Sequence, residues 1–256
     1  KLSIQVSLSG LSFCVFDLIS NKVINTMSIP FEKNKVIKEQ LWRTFVDYPI
    51  LTKSYDEVMV VHDNNLNAFV PTSLFDANFL ASYLQYNTKV FETDFFTYDV
   101  IFPYEMNNIY VPFVNINNFL LDQYETFEYQ NANSILVKQL LDLSKNKEEK
   151  QVFVHVQKEH FELIVVKNQQ LILFNSFQYK TPEDFIYYIL FTCEQLQLNP
   201  ETILVQILGN CSEDDACFKI AFQYIRNCSL LDVTSKASIL DITPTALRNH
   251  FILYHS

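Results

Sequence analysis

The chain has 256 residues, of which 49% are hydrophobic, so it can bury a sizeable core and is long enough for two domains. Its formal net charge of −10 argues against nucleic acid as a partner, because contact with a phosphate backbone depends on clustered Lys and Arg side chains. The longest strictly apolar run, Phe185 to Phe191, has seven residues and is too short for a membrane span.

The first half of the chain begins with a predicted strand meander. Ile4, Val6 and Leu8 alternate with polar residues, which indicates a strand from Ser3 to Ser9, and Ser9–Gly10 is typical of the turn that follows. The same kind of spacing then predicts strands over Leu11–Phe16 and Val23–Phe31, a helix over Asn34–Val46 and a buried strand over Glu57–His62.

The middle of the chain is less regular. Its apolar spacing predicts a helix over Ser73–Tyr86, two strands of a small inserted sheet within Asp94–Val114, a short helix over Asn117–Tyr124, a strand over Thr126–Tyr129 and a helix over Ala132–Leu143. The charged segment Ser144–Lys150 then predicts a linker between two domains.

The second half returns to the order of the first. Predicted strands occupy Gln151–Gln157, Phe161–Val165 and Leu171–Phe177, with a turn at Lys158–Glu159 between the first two. A long helix follows over Pro182–Gln197, for which Thr181 supplies an N-cap oxygen. The remaining predicted elements are a strand over Thr202–Leu208, a helix over Asp214–Arg226, a strand over Ser229–Val233 and a last helix that begins at Thr243 and Pro244.

Strand meander, helix and buried strand therefore recur after about 150 residues, which indicates an internal duplication. A three-strand meander, a crossover helix and a parallel strand form a ribonuclease-H-like core, and two such cores in tandem form the actin-like ATPase arrangement. We therefore expect an α/β protein with one half over residues 1–145, carrying inserted strands at about 94–114, and a second half over residues 146–256.

Two segments carry a resemblance to a known family. The run NSFQYKTPEDFIYYILFTCEQLQL at residues 175–198 and the run LSFCVFD at residues 11–17 resemble a bacterial family of unknown function that is described as having an actin-like ATPase fold. The resemblance covers nearly the whole chain and implies that fold. It brings no established activity and no site residues.

The phosphate-binding residues of actin-like ATPases are missing from the matching positions. Those enzymes resemble one another in an Asp-x-Gly at the first turn of each half, where glycine lets backbone N–H groups approach phosphate and the Asp handles metal-bound water. Ser7 stands at the Asp position of the first half, and His155 and Gln157 stand at the Asp and Gly positions of the second. The degenerate nucleotide-cleft positions are Ser7, Ser9, Gly10, His155, Gln157, Lys158 and Gly209.

These replacements predict that the protein does not hydrolyse ATP and needs no cofactor. Gly10 and Gly209 are the only glycines in the chain, so a glycine-rich adenosine loop is also missing. The same positions argue against the nuclease activity of a ribonuclease H. Two-metal catalysis needs carboxylates on the first strand, and the first strand of each half has none.

Other candidate sites have simpler explanations. Glu213–Asp215 opens a predicted helix, where acidic residues favour the helix dipole more often than they bind a metal. His155 and His160 are expected on opposite faces of their strands, so we predict two separately satisfied histidines and no metal site. The five cysteines, with no CxxC pair, indicate reduced and mostly buried thiols in a cytoplasmic protein.

The helix predicted over Pro182–Gln197 is apolar on two faces. Ile189 and Leu190 lie on the face predicted to enter the core, whereas Tyr187, Tyr188 and Phe191 lie on another. This second face either packs within the protein or forms a surface for a protein partner, and the sequence leaves both open.

The sequence thus favours a non-catalytic actin-like protein that acts as a protein-binding or scaffold module, with an unknown protein as its partner. The alternative is a diverged nucleotide-binding actin-like ATPase with a non-standard site. The two first turns distinguish these hypotheses, because an actin-like ATPase holds its triphosphate between them.

Overall fold

The computed structural model describes residues 1–86, 89–91 and 93–256. These residues form two compact units. Unit 1 contains Lys1–Leu136, Ile239–Asp241 and Ile252–Ser256, and unit 2 contains Val137–Ser238 and Ile242–Phe251. The division predicted between residues 145 and 146 rests on the composition of the linker and stays a prediction.

Unit 1 is built on a five-stranded sheet with the order β3-β2-β1-β4-β8. Its strands are β1 (Leu2–Ser7), β2 (Gly10–Asp17), β3 (Lys22–Pro30), β4 (Val58–His62) and β8 (Glu128–Asn131). The meander β1–β2–β3 is antiparallel, and β4 and β8 are parallel to β1. A separate three-stranded antiparallel sheet has the order β5-β7-β6, with β5 (Asn67–Pro71), β6 (Thr97–Ile101) and β7 (Met106–Tyr110).

Unit 2 repeats the large sheet strand for strand. Its order is β11-β10-β9-β12-β13, with β9 (Gln151–Val156), β10 (His160–Lys167), β11 (Gln170–Gln178), β12 (Leu204–Gly209) and β13 (Asn227–Leu230). The meander β9–β10–β11 is again antiparallel, and β12 and β13 are parallel to β9. The predicted duplication is confirmed, and the fold is that of two ribonuclease-H-like halves with a small inserted subdomain in the first.

A β-bulge occurs at the same place in both meanders. In unit 1 the pairing of β2 with β3 shifts between Val15 and Phe16, which leaves Ile24 as the extra residue of β3. In unit 2 the pairing of β10 with β11 shifts between Val165 and Val166, which leaves Ile172 as the extra residue of β11. A bulge bends and twists the strand that carries it, so the two outer strands are shaped by the same device.

Eight α-helices lie in the described residues. They are α1 (Ile37–Asp47), α2 (Leu80–Leu84), α3 (Val114–Tyr124), α4 (Ala132–Leu143), α5 (Pro182–Gln195), α6 (Ala216–Tyr224), α7 (Thr234–Leu240) and α8 (Pro244–Asn249). Within the described ranges, none of them has the length and apolar character needed to cross a membrane.

The prediction of one continuous helix over Ser73–Tyr86 is wrong. The segment holds two short 3₁₀ turns, Thr72–Leu74 and Ala77–Phe79, before the single turn and a half of α2. The Asp76 side chain accepts a hydrogen bond from the Asn78 backbone N–H at 2.9 Å, and the Tyr83 hydroxyl accepts one from the Asp76 N–H at 2.8 Å. These local bonds compete with the helical hydrogen bonds at this point. Strand β5 and helix α7 were also not predicted.

Helix α5 lies against the sheet of unit 2. Thr181 and Asp184 form a capping box, in which each side chain accepts a hydrogen bond from the other's backbone N–H. Phe185, Ile186 and Ile189 are buried against the apolar face of the sheet. This confirms the prediction for Ile189, whereas Leu190 is only half buried at the margin of that core.

We expect Ile189→Ala to lower the free energy of unfolding by about 2–5 kcal/mol, because Ile189 is fully buried and its loss leaves a cavity. Leu190→Ala should cost about 1 kcal/mol, since part of that side chain already faces water. Urea denaturation measures both values.

The exposed neighbour Tyr187 provides a matched control, and Tyr187→Ala should change the free energy of unfolding by no more than about 0.5 kcal/mol. A loss below about 1 kcal/mol for Ile189→Ala would contradict this account of the core.

Candidate functional site

The first turn of unit 1 satisfies its own hydrogen-bonding groups. Ser7 pairs with Gly10 across a two-residue turn. The Ser7 hydroxyl accepts a hydrogen bond from the Ser9 backbone N–H at 3.1 Å, lies 3.0 Å from the Ser9 hydroxyl and donates to the Gly10 carbonyl at 3.3 Å. The Ser7 hydroxyl therefore already accepts the hydrogen bond of the Ser9 backbone N–H, a donor of the turn that a phosphate ligand would need.

Gly10 is required by packing within the sheet. A Cβ atom at this position would lie 2.8 Å from the backbone oxygen of Ile29 on the neighbouring strand β3. Because that contact is with backbone, it cannot be relieved by moving a side chain. The close approach of β3 thus explains this glycine without a phosphate.

The first turn of unit 2 is tied to the end of its outer strand. The Gln157 N–H donates to the His160 carbonyl at 2.9 Å, which closes the turn, and the Gln157 carbonyl accepts from the Tyr179 hydroxyl at 2.8 Å. The Glu159 carbonyl accepts from the Tyr179 N–H at 3.3 Å. Lys158 is exposed at the tip.

His155 belongs to a buried cluster with Glu162 and His160. His155 Nδ1 lies 2.8 Å from Glu162 Oε2, and His160 Nε2 lies 3.0 Å from Glu162 Oε1. The Glu162 side chain is completely buried, and the Ser176 hydroxyl is 3.5 Å from its Oε1 atom. The imidazole at the expected Asp position is thus held by a carboxylate of its own unit.

The prediction that His155 and His160 lie on opposite faces is wrong. His155 pairs with Glu162 across the hairpin, and directly opposed residues share a face. His160 precedes Glu162 by two residues on β10 and therefore shares that face as well. Because the turn between the two strands has two residues, Lys158 and Glu159, an odd-numbered residue of β9 lies opposite an even-numbered residue of β10. The two residues of such a pair share a face.

The cluster keeps a buried carboxyl group ionised. Burial alone would raise the pKa of Glu162, but its hydrogen bonds to His155 and His160, and their charges, outweigh burial and lower the pKa to about 2. Within the part of the chain that the structure describes, no group of three or more His, Cys, Asp or Glu side chains is arranged to hold a metal ion.

Gly209 ends β12 beside this cluster. Its φ angle is +87°, and a Cβ atom there would lie 2.4 Å from the Val156 backbone oxygen and 3.0 Å from Cδ2 of His155. The Asn210 N–H donates to the same Val156 oxygen at 2.7 Å. A side chain is therefore excluded both by conformation and by space. In unit 2 the structure brings Gly209 and His155 together with the first turn of that unit. Ser7, Ser9 and Gly10 belong to unit 1.

The loop after Gly209 is occupied by its own contacts. Asp215 Oδ2 accepts hydrogen bonds from the Ser212 N–H at 2.6 Å and from the Ser212 hydroxyl at 2.8 Å. Burial raises the pKa of the Cys211 thiol to about 12, so this cysteine is protonated at neutral pH and does not act as a nucleophile.

An asparagine network, which sequence analysis missed, joins the inserted sheet of unit 1 to the start of α4. The Asn67 amide donates to Asn108 Oδ1 at 2.9 Å, the Asn108 amide donates to the Ser134 hydroxyl at 2.8 Å, and the Asn133 amide donates to Asn67 Oδ1 at 2.9 Å. Asn131 Oδ1 accepts from the Asn133 N–H at 2.9 Å. All five residues are buried. Asn67 begins β5 and Asn131 ends β8, whereas Asn108 lies in the middle of β7 and Asn133 in α4, so the sequence positions give no common signal for this network.

Asp99 of β6 completes the network. Its Oδ2 atom accepts hydrogen bonds from the Asn131 N–H at 2.8 Å and from the Ser134 hydroxyl, and its Oδ1 atom accepts one from the Tyr110 hydroxyl at 3.1 Å. Burial, only partly offset by these bonds, raises the pKa of Asp99 to about 6. Asp99 thus binds the backbone N–H of the residue before α4 and a hydroxyl in the first turn of α4, which ties the inserted sheet to the start of that helix.

A cavity of about 760 Å³ in unit 1 lies at the amino ends of β1, β4 and β8. Its lining includes four acidic residues and two lysines, namely Asp56, Glu57, Glu125, Glu128, Lys1 and Lys53. Open α/β sheets bind ligands outside the carboxyl ends of their strands, so this cavity is at the other end of the sheet.

The predicted partner surface forms a row of rings in unit 2, which we call the aromatic row: Phe177, Tyr188, Tyr187 and Phe191. Phe177 of β11 stacks on Tyr188 of α5 with ring centroids 4.6 Å apart and planes 13° apart. Tyr188 meets Tyr187 at 5.4 Å, and Tyr187 stacks on Phe191 at 6.1 Å. Tyr187 is 60% exposed and Phe191 is 44% exposed. One face of α5 is therefore core, and the other presents linked rings to solvent.

The two sheets, with the same strand order and a β-meander in each, define an actin-like ATPase fold built from two ribonuclease-H-like halves. The chain belongs to the family described as "Protein of unknown function (DUF3822)", whose model matches residues 1–228. None of the curated proteins compared with the chain matches it.

Solved structures agree on the fold. A Bacteroides thetaiotaomicron protein described as having an actin-like ATPase fold and unknown function is 21% identical, with a TM-score of 0.83 over 93% of this chain and 94% of that chain. The PilM–PilN type IV pilus biogenesis complex is 10% identical, with a TM-score of 0.56 over 99% and 97%. The ethanolamine utilization protein EutJ from Carboxydothermus hydrogenoformans is 7% identical, with a TM-score of 0.52 over 100% and 89%.

We expect Glu162→Gln to lower the free energy of unfolding by about 3–5 kcal/mol near neutral pH, because a neutral amide leaves the buried His155 and the half-buried His160 without their carboxylate. The pKa of Glu162 is lowered from 4.5 to about 2, so the stability it contributes is present above pH 4.5 and is lost as the pH falls towards 2. Urea denaturation at several pH values should show the two proteins converging in acid.

Ser176→Ala is the matched control, since the Ser176 hydroxyl reaches the same carboxylate only at 3.5 Å. It should cost less than about 1 kcal/mol at every pH. A difference between Glu162→Gln and the unmodified protein that stays constant from neutral pH down to pH 2 would contradict an ionised Glu162.

Proposed function

We propose that this protein is a non-catalytic, cytoplasmic member of the actin-like fold that acts as a protein-binding or scaffold module. The observation that carries the proposal is the state of the two first turns. In each, the residue at the expected Asp position is engaged in hydrogen bonds within its own unit. Neither turn offers the acid and glycine that an actin-like ATPase uses on phosphate and metal.

The chemistry of both turns supports the loss of hydrolysis. Ser7 is neutral and its hydroxyl bonds the turn's own N–H, so it supplies no charge to orient metal-bound water. His155 faces a buried carboxylate and is held there at 2.8 Å. Freeing either side chain for a ligand would break a bond that the fold uses.

Electrostatics also disfavour a triphosphate. The chain has a net charge of −10. In the sequence, Lys158 is the cationic residue nearest to the first turn of unit 2. A single exposed lysine supplies a point charge without the geometry of a phosphate loop.

Protein binding is supported by the aromatic row on α5. Exposed and mutually contacting rings are enriched at protein interfaces, where they bury much area at small entropic cost. The PilM–PilN structure is described as a type IV pilus biogenesis complex, so a protein with this fold takes part in an assembly. The five cysteines are free, and four of them are buried, which is consistent with a reducing compartment.

Isothermal titration calorimetry with Mg-ATP and with Mg-ADP tests the proposal. We expect no saturable heat up to roughly millimolar nucleotide, which corresponds to a binding free energy of about −4 kcal/mol. The physical reason is that the N–H groups of Ser9 and Gln157 are already hydrogen-bonded within their turns, and that a neutral serine and a histidine replace the metal-orienting acids.

Micromolar binding would instead support the diverged ATPase, provided that it depends on the turns. Ser7→Ala and Lys158→Ala should then weaken it, whereas Lys167→Ala, at the far end of β10, serves as the matched control for loss of one exposed lysine. Micromolar Mg-ATP binding that is lost in both turn variants and kept in the control would overturn the proposed function.

A further inference from the structure

The inserted sheet of unit 1 leaves an apolar surface exposed. Tyr98 and Val100 lie two residues apart on β6, so they share a face of the sheet, and both are exposed. The Phe75 ring lies against this face, with its centroid 4.7 Å from that of Tyr98, and it stacks on Tyr83 of α2 at 6.1 Å. Phe102 follows β6 in the turn that leads to β7.

Two hydrogen bonds connect the neighbouring segments of this surface. The Tyr83 hydroxyl donates to the Leu74 carbonyl at 2.8 Å, which holds Leu74 beside the two stacked rings. The Thr72 N–H donates to the Glu105 carbonyl at 2.8 Å. The 3₁₀ turn that contains Leu74 therefore lies next to the turn that carries Phe102.

These side chains form one surface, which we call the apolar patch. Phe79 also belongs to it, because it precedes Tyr83 by four residues, about one helical turn. The patch consists of Leu74, Phe75, Phe79, Tyr83, Tyr98, Val100 and Phe102. Soluble proteins seldom expose a contiguous apolar surface of this kind except where they bind a partner.

The patch has about the apolar area that one side of a stable dimer needs. Leu74 is 70% exposed, Phe79 59%, Tyr98 39%, Val100 63% and Phe102 78%. The exposed parts of the three aromatic residues amount to roughly 250–450 Å², and the two aliphatic residues add to this. A standard interface takes about 800 Å² from each partner, of which somewhat more than half is apolar.

The patch contains no charged residue, although the chain as a whole is acidic. Within residues 66–85 the one charged residue is Asp76, whose carboxylate accepts a hydrogen bond from the Asn78 N–H at 2.9 Å. Asp99 lies between the exposed positions of β6 and points to the opposite face, where it is buried and bonded at the start of α4. Glu105, in the turn after β6, adds an exposed carboxylate at the margin.

We propose that the apolar patch is the contact between two copies of this chain, related by a two-fold axis. In such a contact both molecules present the same surface, so the patch of one copy covers the patch of the other. The aromatic and aliphatic side chains of both copies then leave water, and this burial drives the association. The contact lies on unit 1 and does not involve the aromatic row of α5, so it goes beyond the proposed function and does not depend on it.

Charge favours a second copy as the occupant. The chain has a net charge of −10, so contacts through its charged surfaces would bring carboxylates of the two copies together, and this repulsion disfavours association. A contact through the patch avoids the repulsion, because the patch is uncharged. A nucleic acid or an anionic membrane would find no cation in the patch and is repelled by the rest of the chain.

Sedimentation velocity of the full chain tests the contact. At protein concentrations up to about 100 µM, we expect a species of twice the 30.1 kDa mass of the chain, with a Kd at or below about 10 µM. Raising the salt concentration to about 1 M should weaken the dimer by less than about twofold, because salt screens charges but not apolar burial.

A pair of charge variants locates the contact. Val100→Glu with Phe102→Glu places carboxylates in the patch and should raise the Kd at least about tenfold. Leu18→Glu with Ile19→Glu is the matched control, because it makes the same change on two exposed aliphatic residues in the turn between β2 and β3 of unit 1. The control should stay within about twofold of the unmodified chain.

A milder variant guards against a loss of folding. Phe102→Ser changes one exposed side chain without adding charge, and it should raise the Kd at least about threefold. Urea denaturation should show that this variant and the control unfold at the same midpoint as the unmodified chain. A folded Phe102→Ser variant that dimerises as tightly as the unmodified chain would contradict the proposed contact.

Three other results would overturn the inference. They are a chain that stays monomeric up to about 100 µM, an equal rise in Kd for the two charge variants, and a monomer that floats with phosphatidylcholine vesicles unless Val100→Glu and Phe102→Glu are present. The last result would identify a lipid surface as the occupant. None of these results changes the outcome of the nucleotide titration, so the proposed function is tested separately.

Discussion

A polar group that leaves water must find a hydrogen-bond partner inside the protein, and this constraint determines the main features of both units. In unit 2 it places Glu162 between His155 and His160, with the carboxylate fully buried. In unit 1 it places Asp99 against the first turn of α4 and fills the space beside it with asparagine amides. Both buried carboxylates are held by groups of their own unit. Burial raises the pKa of Asp99, whereas the hydrogen bonds and charges of two imidazoles outweigh burial at Glu162 and lower its pKa.

The same constraint accounts for the hydrogen bonds of the first turn of each unit. A phosphate site needs backbone N–H groups that are exposed and unbonded until the ligand arrives. Here the Ser9 N–H is bonded to the Ser7 hydroxyl, and the Gln157 N–H is bonded to the His160 carbonyl. The two glycines are accounted for by close contacts with neighbouring strands. The N–H groups of Ser9 and Gln157 are thus used to stabilise their own turns.

In unit 2, strand β11 lies at the margin of the sheet, where its outer side pairs with no other described strand. The rings of Tyr188 and Tyr187 lie beside this strand because Phe177 stacks directly on α5. The edge and the aromatic row are therefore parts of one surface.

The sequence by itself determined the repeated order of strands and helices. Alternation of apolar residues is a local signal, and so is the capping pattern of Thr181 and Asp184, which sets the start of α5. Residue type and helical spacing placed Tyr187 and Phe191 on a face of α5 away from Ile189, whereas the sequence left open whether that face is packed or exposed. Ile189 entered the core as its position on the helix predicted.

Only the tertiary structure decided which distant residues share a face or a carboxylate. The pairing of His155 with Glu162 depends on the register of the hairpin. A shift of one residue in that register would place the two side chains on opposite faces of the sheet. The asparagine network joins residues from Asn67 to Ser134 whose spacing follows no periodic rule. The predicted helix over Ser73–Tyr86 failed because Asp76 and Tyr83 make local bonds that apolar spacing does not reveal. Periodicity reports how each segment meets water, whereas hydrogen-bond partners are chosen by the packing of segments far apart in the chain.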